Sequence, residues 1–415
     1  MPARERTSFA WYSCSFTGGA DHSTAARSSS ARRSTSGDTI HGAAPREGLA
    51  SRGVTTHRIA VIAGDGIGTE VIAAGIAAAR RALEVTGTST LATTDLDWSC
   101  ERYAREGSMM PSSGLRILAQ HDAIFLGAVG FPGVPDHVSL WGLLIPIRQG
   151  FDLYVNLRPV RVLEGIPSPL RAGTPESVDM LFVRENTEGE YAGVGGRYRK
   201  GTADEVAMQT AVYSRRGVER IARYAFERAR ERRKKVASVT KSNAIQYTAV
   251  LWDEVVAEVA TDFPDVQLTS YLVDAMAARM ITHPQSLDVV VASNLYGDIL
   301  TDIGGALQGS LGLAASANLD PTRRNPSLFE PVHGSAPDIA GKGIADPLAT
   351  VWATALMLEH LGEPAAAALV MRALERVARE GPRAADLGGR ATTGEVGDAV
   401  ARALGGSTSP TIDDR

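Results

Sequence analysis

The sequence predicts an α/β protein on three observations: short apolar runs recur along the chain, helical patterns of three-to-four spacing lie between them, and a glycine-rich turn joins the first run to the first helix. The first run is Arg58-Ile59-Ala60-Val61-Ile62-Ala63. It meets Gly64-Asp65-Gly66-Ile67-Gly68, and an Ala-rich helical pattern follows through Ala82. The Gly-x-Gly-x-Gly spacing does not match the Gly-x-Gly-x-x-Gly dinucleotide fingerprint, so it reads as a tight turn. Ala123-Ile124-Phe125-Leu126, Met180-Leu181-Phe182-Val183, Val236-Ala237-Ser238-Val239 and Leu287-Asp288-Val289-Val290-Val291 are the next expected strands. Between the second and third of these, Val218, Ile221, Ala222, Ala225, Phe226 and Ala229 share one helical face, and residues 230–235 are expected to be a solvated, basic helix end.

With 415 residues and 44% apolar content the chain can bury a substantial core, which predicts two domains or lobes. A formal net charge of −4 gives no electrostatic reason to expect nucleic acid, and no apolar run approaches bilayer length, so neither nucleic acid nor membrane is an expected partner. Only Cys14 and Cys100 are present, which excludes a disulfide scaffold or zinc site built on cysteines and fits a reducing cytoplasm. Residues 1–56 are Ser- and Arg-rich without apolar periodicity and are expected to be a disordered extension. Their composition has some transit-peptide character, but Glu5, Asp21, Asp38 and Glu47 favour a dispensable tail or an over-called start. Residues 406–415 read as a flexible tail.

Chemistry concentrates in a few places. Ser293-Asn294-Leu295-Tyr296-Gly297-Asp298-Ile299-Leu300-Thr301-Asp302 follows a buried strand and opens a helix, so Asp298 and Asp302 share a face. A bound hard cation would relieve their repulsion; two solvated surface aspartates is the alternative. Asp274, expected to end an apolar strand, could add a third oxygen, and Mg²⁺ or Mn²⁺ suits such a carboxylate set. Arg148, Arg158 and Arg184 each sit beside apolar runs where a guanidinium needs an anion. Converging, they would select a di- or tricarboxylate; singly, each could be an internal ion pair. Tyr191 and Lys241 complete the candidates, although each alone is as readily a core tyrosine or a surface lysine.

Together these segments resemble the metal-dependent β-decarboxylating dehydrogenases, the family of isocitrate, 3-isopropylmalate, homoisocitrate and tartrate/D-malate dehydrogenases. The resemblance spans nearly all of residues 57–400. It rests on the ten-residue spacing of Arg148 and Arg158, the Arg184-to-Tyr191 block, Thr240-Lys241-Ser242-Asn243, Asn294-Leu295-Tyr296-Gly297-Asp298 and His333-Gly334-Ser335-Ala336-Pro337-Asp338, all in the family's order. It implies a two-lobed, isopropylmalate dehydrogenase-like α/β fold that is not a Rossmann fold. The large lobe, with the NAD-binding loops, would be 57–153 plus 309–405. The small lobe, with the dimer interface and metal site, would be 154–308, leaving an active cleft between the two.

The resemblance also implies a homodimer with shared sites, in which Lys241 and Asp274 reach into the partner's cleft. Arg148, Arg158 and Arg184 would hold the carboxylates of a small hydroxy-dicarboxylic acid. Asp298, Asp302 and the partner's Asp274 would hold Mg²⁺ or Mn²⁺, Lys241 would take the hydroxyl proton, and Tyr191 would protonate the enolate left by decarboxylation. NAD would lie against His333, Gly334, Ser335, Ala336, Asp338 and Asp346. A carboxylate at Asp338 accepts the ribose hydroxyls and repels a 2′-phosphate, where NADP-dependent relatives place lysine and then tyrosine at 338 and 339. Asp346 departs from the family, which usually has Asn near the adenine, and Thr69 stands where many relatives have Pro, near the helix start.

Substrate identity should depend on the segment before Arg148. Gly142 and Leu144 cannot supply the Ser and Asn with which isocitrate enzymes contact a γ-carboxylate, and Trp141 occupies the place of an isopropylmalate-pocket glutamate, so Trp141 and Leu144 predict a smaller substrate. The string His137-Val138-Ser139-Leu140-Trp141-Gly142-Leu143-Leu144-Ile145-Pro146-Ile147-Arg148 resembles the tartrate/D-malate branch. The alternatives are a 3-isopropylmalate dehydrogenase and, from another class, a catalytically silent regulatory paralogue.

Overall fold

The computed structural model describes residues 55–405 with the exception of Ala172. The expected N-terminal extension up to residue 54 and the expected tail lie outside the described residues; Thr55 and Thr56, assigned above to the extension, instead open the first strand, because their backbones pair with Ser89 and Thr90.

The chain begins with β1 (Thr55–Gly64), α1 (Gly68–Thr86), β2 (Ser89–Asp95), α2 (Cys100–Glu106), α3 (Gly114–Leu118) and β3 (Ala123–Ala128). Helical turns α4 (Asp136–Ser139) and α5 (Ile145–Gly150), separated by a π-helical turn over Leu140–Leu144, lead to β4 (Val155–Arg161), β5 (Asp179–Glu185) and the hairpin β6 (Gly189–Tyr198) and β7 (Val206–Val212). Then come α6 (Arg215–Arg230), β8 (Lys235–Thr240), α7 (Thr248–Ala260), β9 (Gln267–Leu272), α8 (Val273–Thr282), β10 (Val289–Ala292) and α9 (Asn294–Leu307). The chain closes with β11 (Ala315–Leu319), β12 (Ser327–Pro331), α10 (Leu348–His360), α11 (Pro364–Glu380) and α12 (Thr393–Gly405).

Ten strands form one sheet in the order β2-β1-β3-β12-β11-β4-β5-β10-β8-β9, and β6 and β7 pair separately. The strands β2, β1, β3 and β12 run parallel, as do β5, β10, β8 and β9; β11 and β4 join the two halves through antiparallel pairings. The five apolar runs named first in the sequence are present as β1, β3, β5, β8 and β10, the last starting at Val289. The antiparallel centre has no signature in apolar runs, which report burial and not direction.

Alternation of side chains along the central strands explains where the site lies. Val155 and Leu157 of β4, Ala315, Ala317 and Leu319 of β11, and Phe329 of β12 join one apolar cluster beneath the whole sheet, with α1, α10, α11, α6 and α7. On the opposite face the apolar surface is divided in two. Ala60, Ile124, Leu126 and Leu328 pack with Trp98, Leu143 and Ile147 on one side. Val160, Val162, Met180 and Phe182 pack with Met276, Met280 and Leu300 on the other. Between them, Asn156, Arg158, Arg184, Ser316, Asn318 and Glu330 form a buried polar seam. Six polar side chains in a sheet centre need partners, and the seam supplies many of them internally.

Two local readings change. Residues 230–235 are not simply a solvated helix end: Arg232 Nε donates to Asp288 Oδ1 at 2.8 Å, and Arg233 bonds Asp179 at 3.0 Å, because the Asp288 side chain is fully buried and requires cations. Asp274 does not end a strand; β9 stops at Leu272 and Asp274 lies in the first turn of α8, where a carboxylate favours the helix N-terminus. Thr69 lies within the first turn of α1 and donates to Gly66 O at 2.9 Å, leaving the helix N-cap, Ile67, without a side-chain bond.

His360, at the end of α10, lies 5.6 Å from the Phe329 ring, and burial, then Arg323, pushes its imidazole down to about 4. The folded protein therefore resists a proton that the unfolded chain accepts near 6.5, so stability present at neutral pH is lost as pH falls from about 6.5 toward 4. Replacing His360 with Gln should lessen the loss between pH 7 and pH 5 by up to about 2 kcal/mol, read from urea unfolding at each pH. Equal pH slopes in the two proteins would exclude this role.

Candidate active site

A cavity of about 270 Å³ opens on the polar seam and brings together Arg148, Arg158, Arg184, Tyr191, Asp298, Asp302 and Leu144 from the predicted set. Arg148 closes α5, Arg158 and Arg184 lie on β4 and β5, and Asp298 and Asp302 sit one turn apart on α9. Arg184 is 1% exposed; its Nη1 bonds Asp298 Oδ1 at 2.5 Å, and its Nε and Nη2 bond Asn294 Oδ1 at 3.1 and 2.7 Å. Arg158 donates to Thr301 Oγ1 at 2.5 Å and stands 3.4 Å from Asp298. Gly297 lets α9 approach so closely, since a Cβ there would meet the Arg184 side chain at 2.6 Å.

Glu330, missed in the sequence reading, is the buried counter-ion of Arg148 at 3.1 Å. Its Oε1 also accepts from Asn318 Nδ2 at 2.7 Å, and Asn318 Oδ1 accepts from Asn156 at 2.9 Å and Asn186 at 3.0 Å. The chain of amides fixes the carboxylate and, through it, the guanidinium. Locally, Glu330 shows only as an acidic residue that closes the short apolar run Leu328-Phe329, and its partner is far away in the sequence. Even so, Nε of both Arg148 and Arg158 is buried without a protein partner, two donors left for a ligand.

Charge is uneven here. Burial, then the neighbouring Arg158, pushes Arg184 down to about 9, and burial also lowers Arg158. Burial would raise Asp298, but Arg184 and Arg158 outweigh it and hold this carboxyl below the ordinary range. Asp302, exposed at the cavity edge, is raised by burial of its carboxyl ahead of the opposing Arg158. Tyr191 donates to Asp298 Oδ2 at 3.0 Å, and burial and then Asp298 keep it a phenol above its usual pKa.

The other candidates lie elsewhere. Lys241 Nζ bonds Asp274 Oδ1 at 2.7 Å, and neither side chain lines the cavity. Among the described residues no group of three or more His, Cys, Asp or Glu converges as a metal site. Trp141 is 41% exposed and covers Gly193 of β6 in place of the cavity, which Leu140 and Leu144 face: the extra residue of a π turn changes the helical phase over this stretch.

The loop after β12 starts at the cavity, where Gly334 lines it, and carries His333, Ser335, Ala336, Asp338 and Asp346. Ser335 O accepts from Ile67 N at 2.9 Å, which ties the loop to the Gly64–Gly68 turn. That turn is pinned by Asp65, whose carboxylate accepts the Cys100 and Gly130 amides. Asp338 is exposed, Ala336 has φ 38°, and the buried His333 Nε2 and Asp346 Oδ2 have no partner.

Residues 58–400 match the family model described as isocitrate/isopropylmalate dehydrogenase. The chain belongs to the isocitrate/isopropylmalate dehydrogenase family. It is 54% identical over 352 residues, 85% of this chain and 98% of the relative, to a probable tartrate dehydrogenase/decarboxylase of Agrobacterium vitis. It is 49% identical over 357 residues, 84% of this chain and 99% of the relative, to a D-malate dehydrogenase (decarboxylating) of Escherichia coli K12. A 3-isopropylmalate dehydrogenase of Thermobifida fusca is also 49% identical, over 348 residues, 84% of this chain and 97% of the relative. Among solved structures, isocitrate dehydrogenase from Methylococcus capsulatus superposes with a TM-score of 0.75 at 37% identity, covering 84% of this chain and 99% of that one. The isocitrate/isopropylmalate dehydrogenase fold is thus the two-halved sheet described above. No helix among the described residues is long and apolar enough to cross a membrane.

Proposed function

We propose that the protein is an oxidative, decarboxylating dehydrogenase that uses NAD and Mg²⁺ or Mn²⁺ on a small 2-hydroxy dicarboxylic acid, D-malate or tartrate. The observation that carries this reading is the pair of unpartnered buried Nε–H donors, on Arg148 and Arg158, in a cavity walled by three arginines and three carboxylates. The cavity's charges already balance, so a dianionic substrate and a divalent cation entering together keep them balanced, whereas either alone does not. Two guanidinium forks fix a C4 dicarboxylate's ends, while Ser139, Leu140, Leu144 and Ile145 bring no further cation to the cavity for a third carboxylate.

Asp298 and Asp302 fit a hard cation as two oxygen donors; among the described residues no third joins them, and the partner's Asp274 would provide it. The loop from His333 to Asp346 fits a dinucleotide, with an orphaned buried acceptor, a buried carboxyl oxygen and an exposed carboxylate at Asp338 for the ribose hydroxyls. When bound, NAD supplies the hydride acceptor and the cation supplies polarisation of the substrate oxygens. The chain's own residues do the rest. The arginines orient the carboxylates, and Lys241 of a partner subunit takes the hydroxyl proton. Loss of CO₂ from the resulting 2-keto acid leaves a carbanionic carbon, to which the Tyr191 hydroxyl delivers its proton.

The large lobe would be 57–153 plus 309–405 and the small lobe 154–308, consistent with apolar clusters on either side of the seam. A homodimer is supported by exposed apolar side chains on adjoining elements: Ile281 on α8, Ile299 on α9, and Val194, Tyr198, Val206 and Met208 on the hairpin. The cytoplasm is the proposed compartment, on the sparse cysteines.

Initial NADH formation with Mn²⁺ or Mg²⁺, comparing D-malate, the tartrates, 3-isopropylmalate and isocitrate, tests this. D-Malate or tartrate should exceed 3-isopropylmalate in kcat/KM. Preference for 3-isopropylmalate, which the Thermobifida fusca relative keeps as a second reading, would overturn the substrate and leave the site chemistry intact. No turnover with any of them would favour a silent paralogue.

A further inference from the structure

Asp346 lies just ahead of α10 and is 5% exposed. Its Oδ1 accepts the Leu348 amide at 2.9 Å, while its Oδ2 is buried with no hydrogen-bond partner. Gly312 separates it from a second carboxylate: a Cβ built there would lie 3.2 Å from Asp346 Cβ and against Asp386 Oδ2. Of the groups that act on Asp346, Asp386 is the charged one; Asp386 itself accepts from the Ser310 hydroxyl, and the Leu348 N–H at the start of α10 opposes the effect on Asp346 only in part. His333, in the same loop, also senses Asp386 and is kept neutral by burial. A carboxylate with one buried, unsolvated oxygen beside another carboxylate is costly; a carboxylic acid there is not, provided that its O–H finds an acceptor.

Among the described residues nothing accepts from Oδ2, which leaves it to a ligand. His333 supplies the complementary half. Its Nδ1 is 2.8 Å from Gly334 O and so carries the proton, leaving the buried, unpartnered Nε2 as an acceptor. A neutral acid that donates and a neutral imidazole that accepts match the edge of a heteroaromatic base, which presents ring-nitrogen acceptors beside an amino donor.

We propose that Asp346 enters the dinucleotide site as a neutral carboxylic acid whose Oδ2–H is donated to a ring nitrogen of the cofactor base, so that cofactor affinity follows the protonation of this one carboxyl. The inference rests on the dinucleotide reading of the His333-to-Asp346 loop. Burial and then Asp386 push Asp346 up to about 8, which keeps the acid protonated at neutral pH and places its loss within an accessible range. A raised folded pKa means that binding strength is present below about pH 8 and is lost as pH rises through it.

The test is NAD binding to the full-length protein without substrate, by calorimetry from pH 6.5 to 9.5, for wild type and Asp346→Asn, whose amide donates at every pH. The wild-type Kd should be flat at low pH and rise about tenfold per pH unit once above 8, while the Asn variant stays flat. Circular dichroism at each pH separates binding from unfolding. Wild-type and variant curves that run parallel within about threefold would overturn the role of the proton. Binding by neither protein at any pH would overturn the dinucleotide reading itself, and the role of Asp346 with it.

Discussion

Heterodimers assembled from a Lys241→Ala subunit and an Asp298→Asn subunit, coexpressed under two tags and purified through both, should recover about half of the wild-type turnover per dimer, although each homodimer alone should be at least 10²- to 10⁴-fold down. Lys241 and Asp274 hold each other at 2.7 Å away from the cavity of their own chain, while Asp298 lies inside it. If Lys241 serves the neighbour's cavity, the mixed dimer has one site with both lesions and one site with neither. Were both groups to act within one subunit, every site in the mixed dimer would carry a lesion, and turnover would remain at the level of the homodimers. That outcome would remove Lys241 from the shared-site mechanism, and a fully active Lys241→Ala homodimer would remove it from catalysis.

The residues that the sequence reading recovered are those whose neighbours along the chain betray them. Asp298 and Asp302 are spaced by one helical turn, and Arg184 closes an apolar run, so short-range periodicity was sufficient to place each on its element. Glu330 was not legible because its partner lies 182 residues away in Arg148, and pairing at that separation leaves no local period. The same holds for Asp288, whose burial recruits Arg232 and turns a basic helix end into part of the structure. Trp141 was misplaced for a local reason. The resemblance set it at the position of a pocket glutamate, whereas the π turn over Leu140–Leu144 directs Leu140 and Leu144 to the cavity and leaves Trp141 against Gly193.

Arg148→Met should lower kcat/KM by about 10²- to 10⁴-fold and also destabilise the fold by about 3–5 kcal/mol, the cost of stranding one member of a buried ion pair. The second effect follows from Glu330, which is 7% exposed and would retain only the Asn318 amide for its charge. The two losses can be separated. Adding Glu330→Gln to Arg148→Met replaces the stranded carboxylate by a neutral amide of the same shape, so most of the stability should return in urea unfolding while kcat/KM stays low. Glu330→Gln alone leaves the guanidinium but loosens its orientation, which predicts a raised KM with a smaller change in kcat. If the double variant regains activity along with stability, Arg148 acts through folding and does not hold the substrate. If Arg148→Met keeps kcat/KM within about threefold of wild type, the reading of Arg148 as a carboxylate clamp fails.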